Sequence, residues 1–185
     1  MEAVTNASQN LSNMPVEVME AEHPVRVEEY AFVPDSCGAG RWRGGVGLRR
    51  TYRILADEAL LQMRTDRVAF APYGLDGGSP GGRTRNTMTR DGTHQALPGK
   101  LTTSVTHGTV IVHEQAGGGG HGDPLQRDAD AVLEDVLDGK ITADFARREH
   151  AVAVREARID AAETARLRAE ARQQRHSAHG NDKGQ

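Results

Sequence analysis

QAGGGGHGDPLQRD, residues 115–128, places four consecutive glycines between a Thr- and Val-rich run and the group His121, Asp123 and Pro124. Glycine has no β-carbon, so it takes positive φ freely and lets another backbone or a ligand come close. Two readings stay open. One is a tight structural crossing. The other is a ligand-facing or interface loop presenting Gly117, Gly118, Gly119, Gly120, His121 and Asp123. The formal match of Gly117, Gly119 and Gly122 to G-x-G-x-x-G is nearly automatic in a run of glycines. A dinucleotide fingerprint needs a helix opening within the motif and a second strand carrying an acid about 20 residues on. Asp123-Pro124 and a helical stretch follow instead, and there is no Gly-Lys-Ser/Thr for a phosphate loop.

Upstream of this loop the pattern is strands and glycine. VEVMEAEHP (16–24) reads as a short helical turn ended by Pro24. VRVEEYAFV (25–33) alternates apolar and polar residues, as a half-buried strand does. VGLRRTYRIL (46–55) and ALLQMRTDRVAF (59–70), joined by Ala56, Asp57 and Glu58, are expected to form a hairpin. TRNTMTRDGTHQAL (84–97) reads as two short strands around the Asp91-Gly92 turn, and TTSVTHGTVIVHEQ (102–115) is β-rich. PDSCGAGRWRGGVG (34–47) and YGLDGGSPGGRTRN (73–86) are long glycine loops. Such loops in a compact domain point to function or to an absent partner surface.

Downstream the character changes. DADAVLEDVLDG (128–139) is an amphipathic helix capped by Asp128 and stopped by Gly139, and Thr142 caps a second helix, ADFARREH. From Arg155 the Ala-, Arg- and Glu-rich REARIDAAETARLRAEARQQR is expected to be an exposed helix, with SAHGNDKGQ a disordered tail. Strands followed by helices give an α+β class, a β-rich glycine-loop region followed by C-terminal helices and part of a larger subunit fold. The expected division is a disordered 1–13, a main region 14–154 and an exposed 155–185.

Hydrophobic residues make up 37 % and aromatics 4 % of the 185 residues, lean for an independent core. A net charge of −3 excludes a generally basic nucleic-acid binder. Residues 41–90 hold ten arginines against Asp57, Glu58, Asp66 and Asp76, a net +6, while residues 114–149 hold nine acids against four bases, a net −5. Either the two segments offset each other, or the arginines line a site for phosphate or carboxylate. No apolar run approaches the roughly 20 residues of a membrane helix. The polar N-terminus has no signal-peptide pattern, and one cysteine, Cys37, permits no internal disulfide. A cytoplasmic protein without membrane contact is expected. His107 and His113, placed on one strand, would share a face, and with His121 and Asp123 they invite a metal reading. Their spacing fits no compact ligand motif, so no metal site is assigned. Ser36 beside Cys37 suggests a nucleophile, with no base readable.

Taken in order, NMPVEVMEAEHPVRVEEY, PDSCGAGRWRGGVGLRRTY, the R-T-D-R of Arg64 to Arg67, YGLDGGSPGG, LPGKLT, QAGGGGHGDPLQRD and VLDGKITADFARREHAV resemble the C-terminal portion of the hydantoinase B/oxoprolinase family, from about Asn13 to Val154. Cys37 stands where that pattern usually has glycine, and His121 where it more often has an aromatic residue. The resemblance implies a subunit of an ATP-dependent hydrolase of cyclic amides such as 5-oxoproline or hydantoin. An A-type subunit would bind ATP and phosphorylate the substrate, making a poor electrophile attackable by water. It also implies that ATP and a divalent metal belong to the full complex, with no cofactor bound by this chain. The metal-ligand segment that the family carries in its N-terminal half is not found here. The expected partners are therefore an A-type subunit and that N-terminal half of the B-type subunit, and the chain alone is expected to be inactive. Arg41, Arg43 and Arg67 join the glycine loop as candidate substrate or interface residues. The alternative is a non-catalytic interaction module or an inactive gene remnant.

Overall fold

The computed structural model describes residues 14–181. The expectation for residues 1–13 lies outside them, as does that for 182–185. The first element among the described residues is α1 (Val16–Glu22), which stops at His23 before Pro24. Five antiparallel strands then build one sheet in the order β1-β2-β7-β4-β5. They are β1 (Val25–Val33), β2 (Gly47–Ile54), β4 (Arg85–Arg90), β5 (Thr93–Ala96) and β7 (Val110–Glu114). A separate ribbon pairs β3 (Glu58–Arg64) with β6 (Lys100–Thr106), from Glu58↔Thr106 to Arg64↔Lys100. Both ribbon strands alternate in burial, so one face is covered and the other meets water.

The covered face of the ribbon contributes Met63 and Val105, which pack against Ile54, Met88, Leu97 and Ile111 of the sheet region. This packing explains why the expected β2–β3 hairpin does not form. The three-residue link carries β3 off the sheet and over the core, where it pairs with β6, and β2 takes β7 as its neighbour. Thr51 lies opposite both Glu29 and Val112 in that register. β3 is also shorter than expected at its end, because Thr65 N–H donates to Gly99 O at 2.7 Å and Arg67 takes φ 62°. The β4–β5 hairpin forms around Asp91 (φ 48°) and Gly92 (φ 74°), the pair of positive φ angles that a type I′ turn demands.

The C-terminal third is helical. After a 3-10 turn (Pro124–Gln126) come α2 (Ala129–Leu137) and α3 (Ala143–His150). Asp128 accepts from Asp130 N–H and Thr142 Oγ1 from Phe145 N–H, as the capping pattern requires. Gly139 follows α2 at φ 68°. The expected helix from Arg155 begins later. Glu156 and Ala157 both take positive φ, forming a turn between β8 (Val154–Arg155) and β9 (Arg158–Ile159). α4 (Ala161–Asn181) starts only where Asp160 caps it through Glu163 N–H at 3.0 Å, and it runs through residues 177–181, which were expected to be a disordered tail. No helix among the described residues is long and apolar enough to cross a membrane.

A second core joins the helices to the glycine loops. Val132, Ile141, Phe145, Ala146 and Val152 close over Cys37, Ala39 and Val46. Full burial of a side chain such as Ile141 or Val152 is worth about 1.5–3 kcal/mol, and it is spent here on fastening helices to a loop.

Candidate functional site

Three glycine-rich segments, 36–47, 72–82 and 115–122, cross one another backbone to backbone. Gly38 N–H donates to Gly118 O at 2.8 Å, and Gly118 N–H to Gly45 O at 2.8 Å. Gly117 N–H reaches Gly82 O at 3.1 Å, Gly120 N–H reaches Ser79 O at 2.9 Å, and Ser79 N–H reaches Ala39 O at 2.7 Å. A β-carbon on Gly117 would lie 1.8 Å from Ser36 O, and one on Gly120 would lie 2.0 Å from Ala39 O. None of Gly117 to Gly120 has positive φ, whereas Gly122 does, at 76°. Close approach of other backbones, rather than turn geometry, is therefore what this run requires. Three of its four N–H groups are spent on carbonyls of the neighbouring segments, which leaves no phosphate cradle.

The crossing has an inner and an outer side. Inside, Ser36 Oγ donates to Val33 O at 2.6 Å and accepts from Gly47 N–H at 2.7 Å, and Cys37 is buried in the helical core. Neither is placed as a nucleophile. Arg43 is also buried, and its anionic partner is internal: Nη2 pairs with Asp135 Oδ1 at 2.7 Å. Arg127 takes the other carboxylate oxygen at 2.7 Å. Burial alone would raise the Asp135 carboxyl, but the Arg43 hydrogen bond and charge, with Arg127, outweigh it and hold it below its usual range. Asp35 reinforces the same attachment, accepting from Thr142 N–H at 2.7 Å and Thr142 Oγ1 at 2.8 Å.

Outside, His121 forms isolated bridges to Trp42 and to Leu75, so the three segments meet again at the surface. His121 Nε2 lies 2.9 Å from Asp76 Oδ2, and the Arg41 guanidinium stands 5.8 Å from the centre of the Trp42 ring. Trp42, Tyr73 and Leu75 are 63, 70 and 56 % exposed. The result is an apolar lip carried on a stiff support. Asp123 sits just beyond it and caps the 3-10 turn through Leu125 N–H at 2.9 Å. Arg67 is exposed at a left-handed position, and its carbonyl accepts from Thr84 N–H at 3.1 Å.

The structure thus gathers Gly117 to Gly120, His121 and Arg41 into one region, and turns Arg43 inward to Asp135. Sequence reasoning did not single out Asp135, although a carboxylate three residues after Val132 on an amphipathic helix falls on its buried face. His107 and His113 do not share a strand. Gly108 turns at φ 81° between them, and only His113 lies in β7. Among the described residues no three His, Cys, Asp or Glu side chains converge as metal ligands. The arrangement supplies rigid support and a surface, on which His121 and Asp76 form an exposed pair.

The profile of the hydantoinase B/oxoprolinase family matches residues 1–124. The putative B-type subunit of a D-/L-hydantoinase from a Pseudomonas strain is 34 % identical over 172 residues, covering 91 % of this chain and 29 % of its own. The ATP-dependent caprolactamase of Pseudomonas jessenii superposes with a TM-score of 0.67 at 27 % identity, covering 84 % of this chain and 28 % of that one. A nucleotide-free acetone carboxylase gives a TM-score of 0.74 at 22 % identity, over 89 % of this chain and 27 % of that one, a likeness of fold. The chain spans about a quarter of the length of the hydantoinase and caprolactamase subunits it matches, and about a tenth of that of a matching fungal 5-oxoprolinase.

Proposed function

Because the chain belongs to the hydantoinase B/oxoprolinase family, we propose that it supplies the C-terminal portion of a B-type subunit in an ATP-dependent hydrolase of cyclic amides. 5-Oxoproline, a hydantoin or a similar ring is the substrate, and an A-type subunit and the rest of the B-type subunit complete the enzyme. The observation that carries this reading is the match of nearly the whole chain to a fraction of a B-type hydantoinase subunit.

In this reading the chain has a supporting part. The glycine crossing, strapped to the helices by Arg43–Asp135 and Asp35–Thr142, holds Trp42, Tyr73, Leu75 and His121 outward as the contact face for the remainder of the subunit. Exposed Trp and Tyr beside Arg41 are the residue types that dominate binding energy at protein interfaces. In the assembled enzyme ATP would supply the phosphoryl group that activates the amide oxygen. In this reading nucleotide and divalent metal are held by other parts of the complex, which suits a glycine run with three of its four N–H groups already hydrogen-bonded. A cytoplasmic setting goes with the use of ATP. Reconstitution from separately purified parts tests the reading: ring opening should require this chain, whereas a non-catalytic module or an inactive remnant would leave turnover unchanged.

A further inference from the structure

On the face of the molecule formed by the sheet and its ribbon, a groove of about 460 Å³ opens between α1, β3 and the sheet. Its walls include Met19, Val25, Leu61 and Tyr52, and its floor is the sheet core itself, with Ile54 and Ile111. A volume of this size suits a small-molecule site, which typically combines apolar walls with a few fixed polar groups. Its polar lining comprises His23, Gln62, Arg64, Thr65 and His113, the last of which reaches the groove from β7.

His113 is oriented by a buried relay. Its Nδ1 lies 2.7 Å from Asn86 Oδ1. Asn86 is 3 % exposed, its Nδ2 donates to Thr65 Oγ1 at 2.8 Å, and Thr65 Oγ1 donates to Gly99 O at 3.3 Å. With the Asn86 amide set by its own donation to Thr65, Oδ1 is the atom that faces the ring, so His113 Nδ1 carries the proton. Nε2 is left with a lone pair and has no hydrogen-bond partner among the described residues. Burial, and then the Arg50 charge, hold His113 below its ordinary pKa, so the ring is neutral at pH 7. An ammonium group would lose its hydration for a single acceptor and would face Arg64, which also lines the groove.

We propose that this groove binds a small, largely apolar molecule bearing one N–H or O–H group, which donates to His113 Nε2. The proposal does not rest on the cyclic-amide reading. It concerns the 185-residue chain alone, without ATP or partners, so its failure is distinct from a failed reconstitution.

Indole and 1-methylindole are matched probes, alike in shape and differing in the donor. Titration of the full chain followed by the side-chain nitrogen resonances of His113 should give a dissociation constant on the order of 1 mM for indole. The Nε2 resonance should move, and 1-methylindole should bind about tenfold more weakly, since it leaves the acceptor unsatisfied. His113→Ala should abolish the difference between the probes. Equal binding of the two probes by the wild-type chain would overturn the proposal, as would no binding of either at about ten times that concentration. Indole binding only after removal of residues 1–13 would assign the groove to the chain's own N-terminal segment and overturn it equally.

Discussion

A β-carbon on Gly119 would lie 1.9 Å from Tyr73 O, whereas one on Gly118 would lie 3.0 Å from Gly45 N. Both contacts are with backbone, which cannot swing aside like a side chain, but only the first demands a large shift. Gly119→Ala should therefore lower the stability of the chain by about 3 kcal/mol, and Gly118→Ala by about 1 kcal/mol. Urea midpoints of the two variants check this, and equal midpoints would contradict the crossing. The sequence narrowed the glycine run to crossing or ligand loop and could not choose, because both need a residue without a β-carbon. His150 was less legible still. It is buried, its Nδ1 lies 3.1 Å from Pro124 O and its ring centre 6.0 Å from that of Phe145. Burial holds its pKa below the usual value despite the Pro124 carbonyl. An unfolded chain takes up that proton near pH 6.5 and the folded chain only lower, so stability falls as pH drops through and below about 6.5. His113 adds in the same sense. The slope of unfolding free energy between pH 7 and 5.5 should be shallower in His150→Leu than in the wild type.

Elements whose signals are local were legible. The Asp128 and Thr142 caps, the Asp91-Gly92 turn and the alternation of Val25–Val33 each lie within a few residues of what they determine. The β2–β3 pairing was not, because a three-residue link permits a hairpin but the burial of Met63 and Val105 rewards a separate ribbon. Positive φ at Glu156 and Ala157 was equally hidden, since neither residue type advertises it. The arginines show the same division. Arg41 and Arg43 look alike in sequence, yet Arg41 is exposed beside Trp42 while Arg43 is buried against Asp135. Asp135→Ala leaves Arg43 and Arg127 without their shared counter-charge and should cost about 3–5 kcal/mol. Arg41→Ala should change stability by no more than about 0.5 kcal/mol. Thermal unfolding of both variants checks the contrast, and similar losses would contradict it.

For the whole molecule, the opposed charges of the two halves meet partly within the fold. Arg43 of the basic segment pairs with Asp135, and Arg49 with Glu114 at 2.6 Å. The α+β class was readable from the run of strands followed by helices, and the family from the ordered set of motifs. The groove around His113 was not, because its walls come from α1, β1, β2, β3 and β7, which adjoin only after folding. The glycine crossing ties the sheet to the helices and leaves its apolar lip facing outward, which is what the proposed place within a larger subunit requires. Its central test is ATP-dependent ring opening of 5-oxoproline or hydantoin by the A-type subunit, the remainder of the B-type subunit and this chain, each purified separately. Product should form only when all three are present, at a rate on the order of 1 s⁻¹ or more, and Trp42→Ala with Leu75→Ala should raise the concentration of chain needed at least about tenfold. Turnover that is unchanged when the chain is omitted, or none when all three are combined, would contradict the account.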